Sequence, residues 1–324
     1  MKFPYEKKDI SRLYKSGVKE PLPCGKERNM NDLLESGIVI IDKPQGPTSH
    51  QVSAYVRDIL KIKHCGHSGT LDPNVTGVLP VALSRSTKVL QALLLAGKEY
   101  VCLMRIHKPV REGDIRQICS EFVGVITQMP PVKSAIKRQL RKREVYYIKI
   151  LEIHGQDVLF RVGCQAGTYI RKLCTDIGEK LGVGAHMQQL VRTRVASFRY
   201  DERVTLQDLT DAYHYYTQNQ DETALRQIVQ PIEKAVSHIP KIWVNTGVIS
   251  PLCHGAQLAI PGIVQLDSHI KKGDICAILS VQGELVALAE SLTDAHELMN
   301  RQKGIATKTI RVILNPNTKE EKSK

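Results

Sequence analysis

The chain has 324 residues, enough for a sizeable core and for two domains. Its formal charge of +13 favours a polyanionic partner, nucleic acid ahead of a membrane, because no apolar run approaches the length of a spanning helix. Eight cysteines without paired Cys-x-x-Cys spacing, behind a charged rather than apolar Met1–Ile10, argue against a disulfide-stapled secreted domain and for a reduced, cytoplasmic protein.

Residues 1–36 alternate Lys and Arg with Asp and Glu around Pro4, Pro21, Pro23 and Gly25 and hold no sustained apolar period, so they read as an extended arm. Gly37–Asp42 is a short, continuous apolar run, as expected of a buried strand. Thr48 or Ser49 then caps a helix to about Lys61, with Val52, Val56, Ile59 and Leu60 on one face. His64-Cys65-Gly66-His67 lacks a second ligand pair at zinc spacing, so no metal is expected there.

Gly66 to Leu79 follows, with Asp72 as its only acidic group. Glycines at 66, 69 and 77 allow backbone conformations closed to other residues, and Pro73 biases Asp72 toward an extended or turn conformation. The pattern holds one carboxylate on a stiff loop beside small and hydroxyl side chains, which suits attack on an electrophilic carbon. Val78–Leu83 reads as a strand, Ser86–Ala96 as a helix closed by Gly97, and Lys98–Ile106 as a half-buried strand with Lys98, Tyr100 and Cys102 on one face. The chain then runs through His107-Lys108-Pro109-Val110 directly into another helix.

Pro130 to Lys149 is the most basic segment, and Lys133, Lys137, Arg138 and Arg141 are its candidate phosphate contacts. Val145–Ile153 and Val158–Cys164 form a hairpin over His154-Gly155-Gln156-Asp157. Thr168 can cap a helix whose stripe is Ile170, Leu173, Ile177 and Leu181, which puts the Arg171 guanidinium at the buried edge of that stripe. A strand from Met187 to Phe198 and helices over about Leu206–Thr217 and Glu222–Ser237 follow, with Tyr213, Tyr215 and Tyr216 as packing residues. Beyond Pro240 the chain shows short strands between glycine turns, the pattern of a small β-barrel, with seven Lys and Arg against six Asp and Glu over residues 241–315.

The string Gly-His-Ser-Gly-Thr-Leu-Asp-Pro-Asn-Val-Thr-Gly-Val-Leu resembles the catalytic motif of the TruB/dyskerin pseudouridine synthases, and the resemblance continues at Gly37–Val52, Lys98–Tyr100, Pro130–Arg138 and Gly167–Gly178. It implies an α+β fold: an arm at 1–36 packing on the C-terminal domain, a catalytic domain at 37–240 with a mixed, mainly antiparallel sheet, a PUA β-barrel at 241–315 and a tail at 316–324. It also implies an RNA pseudouridine synthase that needs no cofactor. Asp72 would be its obligatory aspartate, Tyr100 the ring on the target base and Arg171 the partner of Asp72, with Lys43, His67, Tyr169, Ile170 and Leu190 around the base. His254, Gly255 and Ala256 match the more distinctive PUA positions. Whether Asp72 bonds to the sugar, attacks the base or acts as a base at C2′ stays open.

Stand-alone members modify the T-loop uridine of tRNA with an inserted segment after the Tyr strand, for which Ile106–Val110 leaves little room. The resemblance is therefore nearer the archaeal box H/ACA type, whose partners are guide RNA, target RNA and small ribonucleoprotein proteins. A stand-alone tRNA enzyme and a non-catalytic RNA scaffold are the competing expectations.

Overall fold

The structure, a computed structural model, describes residues 2–8, 11–15, 28–130 and 139–315. Lys133, Lys137, Arg138 and the tail 316–324 lie outside them. The N-terminal half runs β1 (Arg12–Tyr14), α1 (Met30–Ser36), β2 (Gly37–Lys43), α2 (Ser49–Ile59), β3 (Cys65–His67), β4 (Thr76–Leu83), α3 (Leu90–Leu95), β5 (Lys98–Ile106), α4 (Glu112–Glu121) and β6 (Gly124–Gln128). It continues through β7 (Arg141–His154), β8 (Asp157–Cys164), α5 (Ile170–Lys180), β9 (Ala185–Val195), β10 (Phe198–Arg199), α6 (Leu206–Asn219), α7 (Thr223–Ile228) and β11 (Gln230–Pro231). The C-terminal domain adds β12 (Lys241–Val244), α8 (Ile249–Cys253), β13 (Leu258–Ala259), β14 (Ile263–Asp267), β15 (Ile275–Ser280), β16 (Leu285–Ser291), α9 (Ala295–Asn300) and β17 (Ile305–Val312).

Strands β11, β2, β4, β9, β5, β8, β7 and β6 lie side by side in that order, with β3 against β4 and β10 against β9. The pairing is antiparallel except where β4 meets β9, the mixed, mainly antiparallel sheet expected of the α+β class. Apolar residues fill both faces of its β2 end because alternate side chains feed different cores. Ile38 and Ile40 join Val78 and Ala82 on one side, and Val39 and Ile41 join Leu79, Val81 and the α2 residues Val52 and Val56 on the other. Each such side chain, fully buried, contributes roughly 1.5–3 kcal/mol.

The second sheet has the order β1-β14-β12-β15-β16-β17-β13. Trp243, Leu279, Leu285 and Ile313 of this domain share a core with Ile38, Val89 and Phe198 of the first, so the seam between domains is packed. The arm meets both. Its strand β1 pairs with β14, while Phe3 is fully buried under the Arg194 guanidinium and Glu6 pairs with that arginine at 2.7 Å.

Three sequence expectations change. The span Glu222–Ser237 is not one helix: α7 stops at Ile228, Gln230–Pro231 pairs with Ile38 and Gly37, and a 3₁₀ turn covers Ile232–Val236. Pro231 has no N–H to give and restricts the residue before it, which ends α7 and is tolerated at this sheet edge. The span Ser86–Ala96 begins in a 3₁₀ turn, Ser84–Val89, before becoming α3. Of the three tyrosines on α6, Tyr213 and Tyr216 pack edge to edge at 6.2 Å, whereas Tyr215 is exposed.

Candidate active site

Asp72 lies in the hairpin loop between β3 and β4. Cys65, Gly66 and His67 pair with Leu83, Ala82 and Val81, and the loop is the chain between those strands. At its end β4 crosses β9 so closely that a Cβ on Gly77, whose φ is +101°, would meet the Arg192 carbonyl oxygen at 2.3 Å. Only glycine fits there, and the crossing fixes where the loop begins to turn back.

The loop is held from below by donors on its own carbonyls. Lys43 Nζ donates to the oxygens of Pro44 at 2.9 Å, Pro73 at 3.0 Å and Val75 at 2.9 Å. Gly46 N–H donates to the Pro73 oxygen at 3.0 Å, and Ser49 Oγ accepts from Leu71 N at 2.8 Å. Arg192 closes the loop's two ends, with Nε on the Val78 oxygen at 2.8 Å and Nη1 and Nη2 on the Gly69 oxygen at 3.3 and 3.2 Å.

Above this base, Asp72 Oδ2 accepts from Arg171 Nη2 at 2.6 Å. The arginine comes from the first turn of α5, whose stripe Ile170, Leu173 and Ile177 is buried. Its side chain is not at a buried edge: Arg171 and Asp72 are 59% and 58% exposed. The first turn points the guanidinium across the groove instead of into the core, so the pair orients the carboxylate without desolvating it. The helix cap also differs from expectation. Thr168 Oγ closes a turn onto the Gln165 oxygen, and Tyr169 is the cap residue, its backbone N and O both bonded to the Gln128 side chain.

Tyr100 borders the same groove from β5, packed on a core that contains Leu71, Val75, Cys102, Ile170 and Leu190. Burial pushes its phenol up to about 12, against the pull of Arg192, so the ring is neutral at physiological pH. His67, also beside the loop, accepts at Nδ1 from Gly69 N at 3.3 Å, and burial lowers its imidazole below the usual value, as do the nearby Arg192 and His50. Lys98 is buried behind them on the carbonyls of Leu93, Leu94 and Ala96, and burial lowers its ammonium to about 7.

The structure therefore joins Asp72 to Arg171 by an ion pair, packs Tyr100, Ile170 and Leu190 in the core that also holds Leu71 and Val75 of the Asp72 loop, and sets His67 on the strand leading into that loop and Tyr169 at the start of the Arg171 helix. Lys43 is the correction. It is fully buried with its ammonium spent on carbonyls, so it supports the loop from beneath and does not line the groove. Arg192 is the residue that sequence reading missed. Its signal was an arginine two positions after Leu190, in phase with a strand's apolar face.

Arg141 opens β7 opposite Gln128, whose side chain holds the backbone of the α5 cap residue Tyr169. His254, Gly255 and Ala256 form an exposed turn after α8 in the other domain, where Gly255 has a φ of +89° and Thr309 Oγ donates to the Ala256 oxygen at 2.8 Å. No helix among the described residues is long and apolar enough to cross a membrane.

Comparison with known proteins matches family domains along most of the chain. Residues 57–170 match the TruB family pseudouridylate synthase N-terminal domain, 171–237 the tRNA pseudouridylate synthase B C-terminal domain, 240–313 the PUA domain and 2–53 the DKCLD domain. Proteins named probable tRNA pseudouridine synthase B are 50% identical in Methanosarcina barkeri, over 89% of this chain and 85% of that one, and 53% identical in Pyrococcus abyssi, over 87% and 84%. Among solved structures, a Cbf5–Nop10–Gar1 complex contains a chain 46% identical with a TM-score of 0.92, covering 97% of both chains. A substrate-bound H/ACA ribonucleoprotein gives 43% identity and a TM-score of 0.89, again over 97% of both. On this evidence the chain belongs to the TruB family of pseudouridine synthases.

Proposed function

We infer that this chain is the catalytic subunit of a guide ribonucleoprotein of the H/ACA kind and isomerises uridines in target RNA, ribosomal RNA above all, in the cytoplasm. The observation that carries the reading is the Asp72–Arg171 pair, 2.6 Å apart and exposed, on a loop held by buried donors whose Leu71 and Val75 share a core with Tyr100. Isomerisation breaks the N1–C1′ bond of a uridine, turns the uracil, and forms a C5–C1′ bond. The C5 hydrogen leaves to water and N1 regains a proton, so atoms balance without a redox partner.

Asp72 is the carboxylate that meets the extruded nucleotide, and Arg171 holds it aimed. Tyr100 holds the freed uracil against the apolar floor of Ile170 and Leu190, while Tyr169 and His67 flank it. Lys133, Lys137, Arg138 and Arg141 serve phosphates of the target, and the His254–Ala256 turn serves the guide RNA. The join from β5 to α4 supports the guided type: only residues 107–111 separate Ile106 from Glu112, too few for a segment that grips a tRNA T-loop.

The names of the archaeal relatives favour a second reading, a synthase acting on tRNA. One assay separates the two: tritium release from [5-³H]uridine RNA, with tRNA alone, and with target RNA plus guide RNA and the small partner proteins. Release that requires the guide supports the first reading. Equal release from unaided tRNA, with no response to guide, overturns it.

A further inference from the structure

Beneath the Asp72 loop the fold buries a guanidinium that no carboxylate answers. Arg192 is 1% exposed, and among the described residues its hydrogen bonds go to backbone carbonyls, with the Tyr100 phenol close by on the neighbouring strand. A cation in such a place costs several kcal/mol, on the order of the penalty for other buried ions, unless the groups around it are fixed to receive it. The fold does fix them. Gly69 precedes Asp72 and Val78 follows it, and one planar fork reaches both oxygens.

The backbone of the same residue joins the two halves of the site. In the sheet, Arg192 pairs in parallel with Gly77 and antiparallel with Tyr100, so it lies between the strand that leaves the loop and the strand that carries the ring. The exposed Asp72–Arg171 pair is a poor anchor by comparison, since solvent-exposed ion pairs contribute about 0–1 kcal/mol. Lys43 donates only to the Pro73 and Val75 side of the loop and to its own neighbour Pro44, and makes no hydrogen bond to β5 among the described residues.

We propose that Arg192 is a positioning residue of the isomerisation: its guanidinium clamps both ends of the Asp72 loop to the Tyr100 strand, setting carboxylate and ring at one separation before RNA arrives. The proposal rests on the reading of Asp72 as the reacting carboxylate. A lysine at 192 keeps the charge but, as a single point donor, cannot span both carbonyls as the planar fork does. Displacing the loop by even about 1 Å slows chemistry far more than it weakens binding, because most RNA contacts lie elsewhere.

The test compares Arg192→Lys, Asp72→Asn and wild type as full chains in the guide-dependent assay, reading single-turnover rate and RNA Kd separately. Arg192→Lys is expected to slow the single turnover by about 30-fold, with Kd within about twofold of wild type. A rate within about threefold of wild type, or a loss of rate matched by an equal loss of affinity, overturns the clamp. Turnover by Asp72→Asn within about tenfold of wild type would instead overturn the underlying functional reading, whatever Arg192→Lys does. Hydrogen exchange on the wild-type chain decides the matter should Arg192→Lys not fold. The amides of Leu71 and Val75 are expected to exchange as slowly as those of β5 without RNA, and opening about 100-fold faster than β5 overturns the proposal.

Discussion

The Asp72 loop and the His254 turn are both short, glycine-bearing segments with exposed tips, and they are built in opposite ways. The first is carried on buried cations: Lys43 and Arg192 donate to five of its own and adjoining carbonyls, and Gly77 lets β4 press against β9. The second is carried by its own backbone. Gly255 N–H returns to the Leu252 oxygen at 3.0 Å, Ala256 N–H to Pro251 at 3.1 Å, and a single hydroxyl, Thr309, braces it from outside. A group that must meet a reacting carbon needs its position fixed to fractions of an ångström, and buried charge supplies that stiffness. A turn that only docks against RNA needs exposure and shape.

The contrast can be broken at several places. Asp72→Asn removes the charge and keeps the loop, so tritium release should fall by about 10³-fold or more with target RNA still bound; a fall of less than about tenfold in a clean preparation rejects the site. Arg171→Met should lower the rate by about 10²-fold with an unchanged urea midpoint, because the pair is exposed and contributes little to stability. Near-normal rates would make the pair dispensable. Lys43→Met should act the other way, costing about 2–4 kcal/mol in a urea titration by removing a buried donor from three carbonyls, of which, among the described residues, Pro73 alone keeps a second donor, Gly46 N–H, with activity lost as a consequence of loop disorder. If stability held and activity alone fell, Lys43 would be working in the groove after all.

At the other domain, Ala256→Asp sets a negative charge on an exposed turn and should weaken guide-RNA binding by about tenfold in a filter assay while leaving the fold intact. Unchanged affinity would remove this turn from the RNA interface. The smallest effect concerns the seam. Burial pushes His238 from 6.5 down to about 4, so below pH 6.5 the unfolded chain takes up a proton that the folded chain refuses. Stability is therefore full above pH 6.5 and declines toward pH 4, with a slope of at most about 1.4 kcal/mol per pH unit. Urea midpoints at pH 7 and pH 5 should differ less for His238→Asn than for wild type.

Much of this was legible in the sequence because local patterns and packing agree. Thr48 caps α2 as its Thr-x-x-Gln spacing demands, with Oγ1 accepting from Gln51 N and the Gln51 side chain accepting from Thr48 N. The Tyr100 strand and the His154–Asp157 hairpin alternate clearly, and the hairpin turns on Gly155 at a φ of +57°. What was hidden depends on partners distant in the chain. The role of Lys43 lies in carbonyls thirty and thirty-two residues away, that of Arg192 in oxygens more than a hundred residues away. Neither can be seen in a local window, and a charged residue inside an apolar pattern looks like noise until its acceptors are placed. Arg171 failed differently. Periodicity gave its angle on the helix, but the groove that keeps it wet is formed by a separate loop.

Strand β1 fills an edge of the C-terminal sheet, and Ser11 Oγ lies 2.5 Å from Ser268 Oγ across 257 residues of chain. On the ribosome the arm emerges first and its docking slot is among the last parts made. For most of synthesis, Arg12–Tyr14 must remain an unpaired segment, and the far sheet cannot close its border until that early segment returns. Completion of this sheet is thus timed by an early segment waiting for a strand made about 250 residues later.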